Sequence, residues 1–117
     1  MRGIRVHPVI LASMYVALLS FILFSGTALA GNPHVAEAIT HAEAAVKHGE
    51  KGHADVLVKH AEEALMHAQE AQADVKNPHL DEGVHELMEA IDHGGQGHAD
   101  VATKHAKSAV MHMKEVK

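Results

Sequence analysis

His48-Gly49-Glu50-Lys51-Gly52-His53-Ala54-Asp55-Val56 returns 45 residues later as His93-Gly94-Gly95-Gln96-Gly97-His98-Ala99-Asp100-Val101, and this doubled turn decides the fold. A Gly-bearing insert between two periodic stretches marks a chain reversal. Its recurrence implies that the flanking segments are doubled too. Aligning Asn32–Gln72 with Asn77–Lys117 gives 19 identities in 41 positions, and both halves open Asn-Pro-His. Within the first half, a shift of 19 lays His34, His41 and His48 on His53, His60 and His67. The segment is therefore four copies of one short unit, arranged as a pair of pairs.

Each unit has the apolar spacing of a helix. Val35, Ile39, Ala42 and Val46 are answered by Ala54, Val58, Ala61 and Leu65, then by Leu80, Val84, Leu87 and Ile91, and finally by Ala99, Thr103, Ala106 and Val110. Asn32 and Asn77 are good N-caps, each followed by Pro at the first helical position. Gly49 and Gly94 read as the left-handed residues that end a helix. Helices are expected over about 33–48, 53–72, 78–93 and 98–115, with 73–76 linking the two hairpins. Short turns make neighbouring helices antiparallel, so the fold class is all-α, an up-down-up-down four-helix bundle. Its core is thin, because Ala fills many inward positions, and Gly83 inside the third helix costs about 1 kcal/mol relative to Ala. A bundle of this size lies near the lower limit that apolar burial alone supports.

The first thirty residues have a different composition. Arg2 and Arg5 precede a 16-residue apolar run, Val9–Phe24, and a small-x-small sequence, Ala28-Leu29-Ala30. This is the pattern of a secretory signal peptide cleaved after Ala30. The alternative is an uncleaved anchor, for which the run is somewhat short. Either way the working segment, 31–117, is expected outside the cytoplasm, in a bacterial periplasm. That segment holds 8 Lys against 15 Asp and Glu, a net charge of −7 with His neutral, and 12 of the 13 histidines. Such a surface repels nucleic acid and attracts cations. The chain has no Cys, which excludes disulfides, thiolate ligands and Cys-x-x-Cys-His haem attachment.

With Ile39 and Val46 at heptad position a, eleven histidines share position c: His34, His41, His48, His53, His60, His67, His79, His93, His98, His105 and His112. Relative to an a/d stripe they lie about 110–130° round the helix, as a line on the surface. Two of them on one helix are about 10.5 Å apart, too far to share an ion whose ligands stand about 2 Å from it. Partners must come from elsewhere. In an antiparallel hairpin, register pairs residues whose numbers add to a constant. A total of 101 pairs His34 with His67, His41 with His60 and His48 with His53, while 191 pairs His79 with His112 and His93 with His98. The middle pair of the second half is mixed, Glu86 with His105, and His85 has moved to position b. Position g, beside c, holds Ala38, Ala45, Leu57, Ala64, Gly83, Ala90, Ala102 and Ala109, mostly small residues that let the backbones approach.

Carboxylates are the other source. Glu37 and Glu63 each stand between two c-position histidines, Glu82 follows His79 by three, and Glu89 precedes His93 by four. Ordinary helix-stabilising charge pairs are the plainer explanation of the same spacings. Met66, Met88, Met111 and Met113 are soft donors for copper(I), although their spacing suits packing better. Imidazole with carboxylate suits copper(II), nickel(II) and zinc(II), and the Irving–Williams order puts copper(II) first. Repeated two-ligand pairs imply several ions of moderate affinity per chain, which is a buffer's arrangement. Affinity should fall as pH drops through about 6.5, because only neutral imidazole ligates.

Residues 53–67 and 98–107, together with the two His-Gly-x-x-Gly-His turns, resemble the periplasmic small metal-binding protein family over essentially all of 33–117. The resemblance implies an up-down four-helix bundle that binds several divalent metals, copper above all, in copper storage, transport or tolerance. It extends residue by residue to the c-position histidines, and Glu86 stands where the family pattern has His. Two rival functions are open. A delivery chaperone would need a docking surface, and no apolar patch announces one. A pH-responsive bundle would show no metal stoichiometry. No nucleophile or cleft points to an enzyme. The expected partners are metal ions, with the chain a monomer and membrane contact confined to an uncleaved leader.

Overall fold

The side-chain oxygen of Asn32 accepts from the His34 backbone N–H at 2.9 Å, and Asn77 does the same for His79 at 2.9 Å. These caps satisfy backbone donors that have no partner inside a helix. They start α1 (Pro33–Glu50) and α3 (Pro78–Gly95), with Pro at the first helical position of each. Helix α2 (Ala54–Asp74) follows the first turn and α4 (Ala99–Lys114) the second. The computed structural model describes residues 31–117, so the leader and its expected cleavage site lie outside the described residues. Each hairpin packs its two helices together. Helix α2 also lies on α3 and α1 on α4, which closes a four-helix, all-α bundle. Among the described residues no helix is long and apolar enough to cross a membrane.

The turns correct one expectation. The left-handed residues are Gly52 and Gly97, with φ of 77° and 80°, not Gly49 and Gly94. The His53 N–H donates to the His48 carbonyl at 3.0 Å and the Gly52 N–H to the Gly49 carbonyl at 2.9 Å. This is the paired closure of a Schellman motif, which calls for the left-handed residue one place after the C-cap. The second turn repeats it, His98 to His93 at 2.9 Å and Gly97 to Gly94 at 3.0 Å. Gly49 and Gly94 are instead buried helical residues at close crossings. A Cβ at Gly49 would collide with Thr103 Oγ1 and Leu57 Cδ1, and one at Gly94 would lie 2.6 Å from Val58 Cγ2.

A second correction concerns which stripe is the core. The fully buried residues of α1 are Ala38, Ala42 and Ala45. Those of α2 are Leu57, Ala61, Ala64, Ala68 and Ala71. They occupy positions d and g. Ile39, Val46, Val58, Leu65, Val84 and Ile91, the larger aliphatics at a in α1, α2 and α3, are only partly buried against this centre, whereas α4 buries its a residues Thr103 and Val110. Small residues at g let the helices approach closely, so the bundle axis is lined by alanine and the bulky side chains are displaced to its flanks. Leu57, Leu80, Leu87 and Met113 are the largest side chains fully enclosed. Gly83, which looked costly, faces Met113: a Cβ there would lie 2.7 Å from Met113 Cγ. The other three methionines among the described residues are mostly exposed, Met66 53%, Met88 53% and Met111 66%.

Candidate metal centre

Moving the core from a/d to d/g moves the histidines too. At 3.6 residues per turn, c lies about 40° from g, so the imidazoles stand at the edge of the core rather than far out on the surface. Eight of the eleven are half-buried in the seam between paired helices, with His67 21% and His34 39% exposed, while His53, His79 and His98 are exposed.

In the first hairpin the paired rings meet across the seam. Centroid separations are 6.0 Å for His34–His67, 6.2 Å for His41–His60 and 6.1 Å for His48–His53. The diagonal neighbours are closer still: His41–His67 at 5.4 Å and His48–His60 at 5.3 Å, with planes within 11° and 13°. The pairs are thus steps of one zigzag of six rings, in which His41, His48, His60 and His67 each lie between two on the facing helix and His34 and His53 end the row. The second hairpin keeps pieces of this. His79 and His112 stand 5.8 Å apart with Nδ1 atoms at 3.5 Å, His93–His98 at 6.1 Å and His93–His105 at 5.3 Å. Its middle pair is Glu86 and His105, with Oε2 and Nδ1 at 2.7 Å. His85 is exposed and outside the zigzag, and His53 and His98 sit exposed at the turns.

The carboxylates arch over the seam. Glu63 lies 2.8 Å from His41 Nδ1 across it and 3.7 Å from His60 on its own helix. Glu37 lies 3.1 Å from His67 and 3.7 Å from His34. Glu70 lies 3.0 Å from His34 and 3.3 Å from His67. From position f, just outside c, a glutamate reaches further over the neighbour's imidazole than along its own helix. The same-helix pairing expected for Glu37 and Glu63 is therefore the longer of their two contacts. Glu89 approaches His93 at 4.0 Å, whereas Glu82 makes no contact with His79 within ion-pair distance. Glu70 was missed by sequence reasoning, yet His67-x-x-Glu70 has the spacing of His34-x-x-Glu37 and His60-x-x-Glu63.

Among the described residues, three groups bring one donor atom from each member within 4.8 Å of the others: His34, His67 and Glu70; His41, His60 and Glu63; and Glu89, His93 and His105. Donors on one ion stand about 3–4 Å apart when each is about 2 Å from it, so small side-chain rotations would close these groups. The Nδ1 atoms of His34, His48, His60, His67 and His93 are buried with no hydrogen-bond partner. Carboxylate oxygens lie 3.0 Å, 3.7 Å and 3.1 Å from those of His34, His60 and His67 without forming a hydrogen bond, and a cation between imidazole and carboxylate would pair with both. The donor set fits a divalent transition metal.

His48 is held below its ordinary pKa of 6.5, by desolvation first and then by His60, Lys51 and His53, with Asp55 opposing. A folded-state value below the unfolded one means that the unfolded chain binds more protons, so this contribution to stability is present above pH 6.5 and lost as pH falls below it. Without metal, the midpoint of thermal unfolding is expected to fall between pH 7.5 and 5.5, and His48→Asn to shrink that fall. An unchanged slope in the variant would contradict the assignment.

Elsewhere, a groove of about 590 Å³ lies between α1 and α4, floored by Val46, Val110 and Met111. Its glutamates are already paired, Glu50 with Lys107 at 2.7 Å and Glu43 with Lys114 at 2.8 Å, so it offers no free carboxylate. Met111 in this groove is 66% exposed. A search of curated proteins finds no significant match to this chain. The small metal-binding protein family model, however, matches residues 9–116, almost the entire sequence, and the chain belongs to that family.

Proposed function

We propose that the chain is an exported buffer for divalent transition metals, copper(II) first, that holds several ions of moderate affinity along the two helix seams. The observation that carries this reading is the repeated convergence of two imidazoles and a carboxylate, with buried imidazole nitrogens that make no hydrogen bond. Nitrogen and oxygen donors without thiolate favour copper(II) over nickel(II) and zinc(II). Sites open to solvent along a seam load and release ions readily, as a buffer requires. The leader supports a periplasmic location. Delivery to a partner is the second reading, favoured only by the apolar groove on the other flank of α1. Calorimetric titration with copper(II) at pH 7 is expected to give about three ions per chain, one for each three-donor group. Binding of less than one equivalent would overturn the metal reading and leave the pH-responsive bundle in its place.

A further inference from the structure

Glu86 occupies the position where the first hairpin has His41, and its obvious reading is a substitute ligand. The geometry points to a different role, which rests on the metal-binding reading above: we propose that Glu86 is a positioning residue that locks His105 in one tautomer and so prepares a site made by Glu89, His93 and His105.

Three observations separate Glu86 from the bridging glutamates. Its Oε2 lies 2.7 Å from His105 Nδ1 in hydrogen-bonding geometry, whereas the Nδ1 atoms of His34, His60 and His67 have no hydrogen bond despite nearby carboxylates. It is the most enclosed of the carboxylates in contact with the histidines, with 20% of its side chain exposed against 50% for Glu63. Glu63 touches two imidazoles, but Glu86 touches His105 alone and belongs to none of the three-donor groups.

An ionised carboxylate can only accept, so Nδ1 of His105 must carry the proton. The nitrogen left with a lone pair is Nε2. A carboxylate that fixes the far nitrogen of a ligating imidazole sets its orientation and raises its basicity. The His105 ring is correspondingly aligned: it lies parallel to His93, 3° between planes and 5.3 Å between centroids. Glu89, His93 and His105 bring their donor atoms within 4.8 Å. The repeat supports the division of labour. Ser108 stands where the first hairpin has Glu63, so the carboxylate that arches over the seam there is missing, and Glu89 stands where the first hairpin has Ala44. The second hairpin therefore supplies its carboxylate donor from α3, beside a histidine held from behind.

Nitrogen-15 spectra of the imidazoles in metal-free protein at pH 8 test this directly, followed by titration with zinc(II) read at the His93 and His105 rings. His105 is expected as the Nδ1–H tautomer, with Nε2 shifting when zinc(II) binds. Glu86→Ala is expected to release the tautomer and weaken this site about 10- to 100-fold. Glu86→Gln, whose amide oxygen still accepts from Nδ1–H, should retain the tautomer and lose less. An Nε2–H tautomer in the unaltered protein, zinc(II) on His105 Nδ1, or equal losses in the two variants would overturn the proposal while other histidines still respond to metal. If no histidine resonance moves with zinc(II) and copper(II) gives no heat, the metal reading itself fails, and this inference with it.

Discussion

Replacing His41 and His60 together by Ala is expected to remove one bound copper(II), with little further loss beyond either single replacement. The two imidazoles face each other across the first hairpin at 6.2 Å, and Glu63 lies 2.8 Å from one and 3.7 Å from the other. Three donors that converge on one ion act as a unit, so taking away one already breaks the site. Glu63→Gln should weaken the same ion. The zigzag bounds the effect: His41 also stands 5.4 Å from His67 and His60 stands 5.3 Å from His48, so an ion that loses one partner can draw on the next ring along. A single variant is therefore expected to lose affinity as well as stoichiometry, measured by calorimetry at pH 7. Losses that simply add to two ions would mean that each histidine works independently of its partner across the seam.

Leu57→Ala is expected to have the largest effect on stability, about 4 kcal/mol, in the upper half of the range for a buried leucine. Leu57 is fully enclosed, and the backbone on two sides of it is glycine: a Cβ at Gly49 would meet its Cδ1 at 2.5 Å, and one at Gly94 would meet its Cδ2 at 3.3 Å. Neither glycine has a side chain to relax into the space, so the cavity stays open. Domains of this size have about 0.05–0.15 kcal/mol of stability per residue, which leaves such a variant close to unfolding without metal. Binding to the folded form alone returns about 2.7 kcal/mol per site at a hundredfold excess over Kd. Copper(II) should therefore refold much of the variant population. Urea titration followed by circular dichroism, with chelator and then with metal, checks both parts. A loss below 1 kcal/mol in chelator would show that the site collapses after all.

How much was legible in sequence follows from which interactions are local. Helix starts at Asn32-Pro33 and Asn77-Pro78, the two turns, the hairpin register and the c-position stripe depend on residues close in the chain or on repeat arithmetic, and periodicity exposes them. The His34–His67, His41–His60 and His48–His53 pairs followed from register alone, because an antiparallel hairpin with a fixed turn has no freedom to slip. Periodicity could not decide which of two adjacent apolar stripes faces the axis. Alanines at g and larger aliphatics at a are both apolar, and only packing all four helices shows that close approach over alanine wins. That rotation of the core carries the histidines from surface to seam, makes the pairs a zigzag, and brings the glutamates closer to imidazoles across the hairpin than to those of their own helices. It also gave Gly49 and Gly94 their role: each looks like a helix terminator from its neighbours, but each is required where another helix crosses. The sequence by itself determined four helices, their order and a line of imidazoles along each. The tertiary structure decided which side of that line is buried, because burial depends on all four helices at once and a helical period describes one helix at a time.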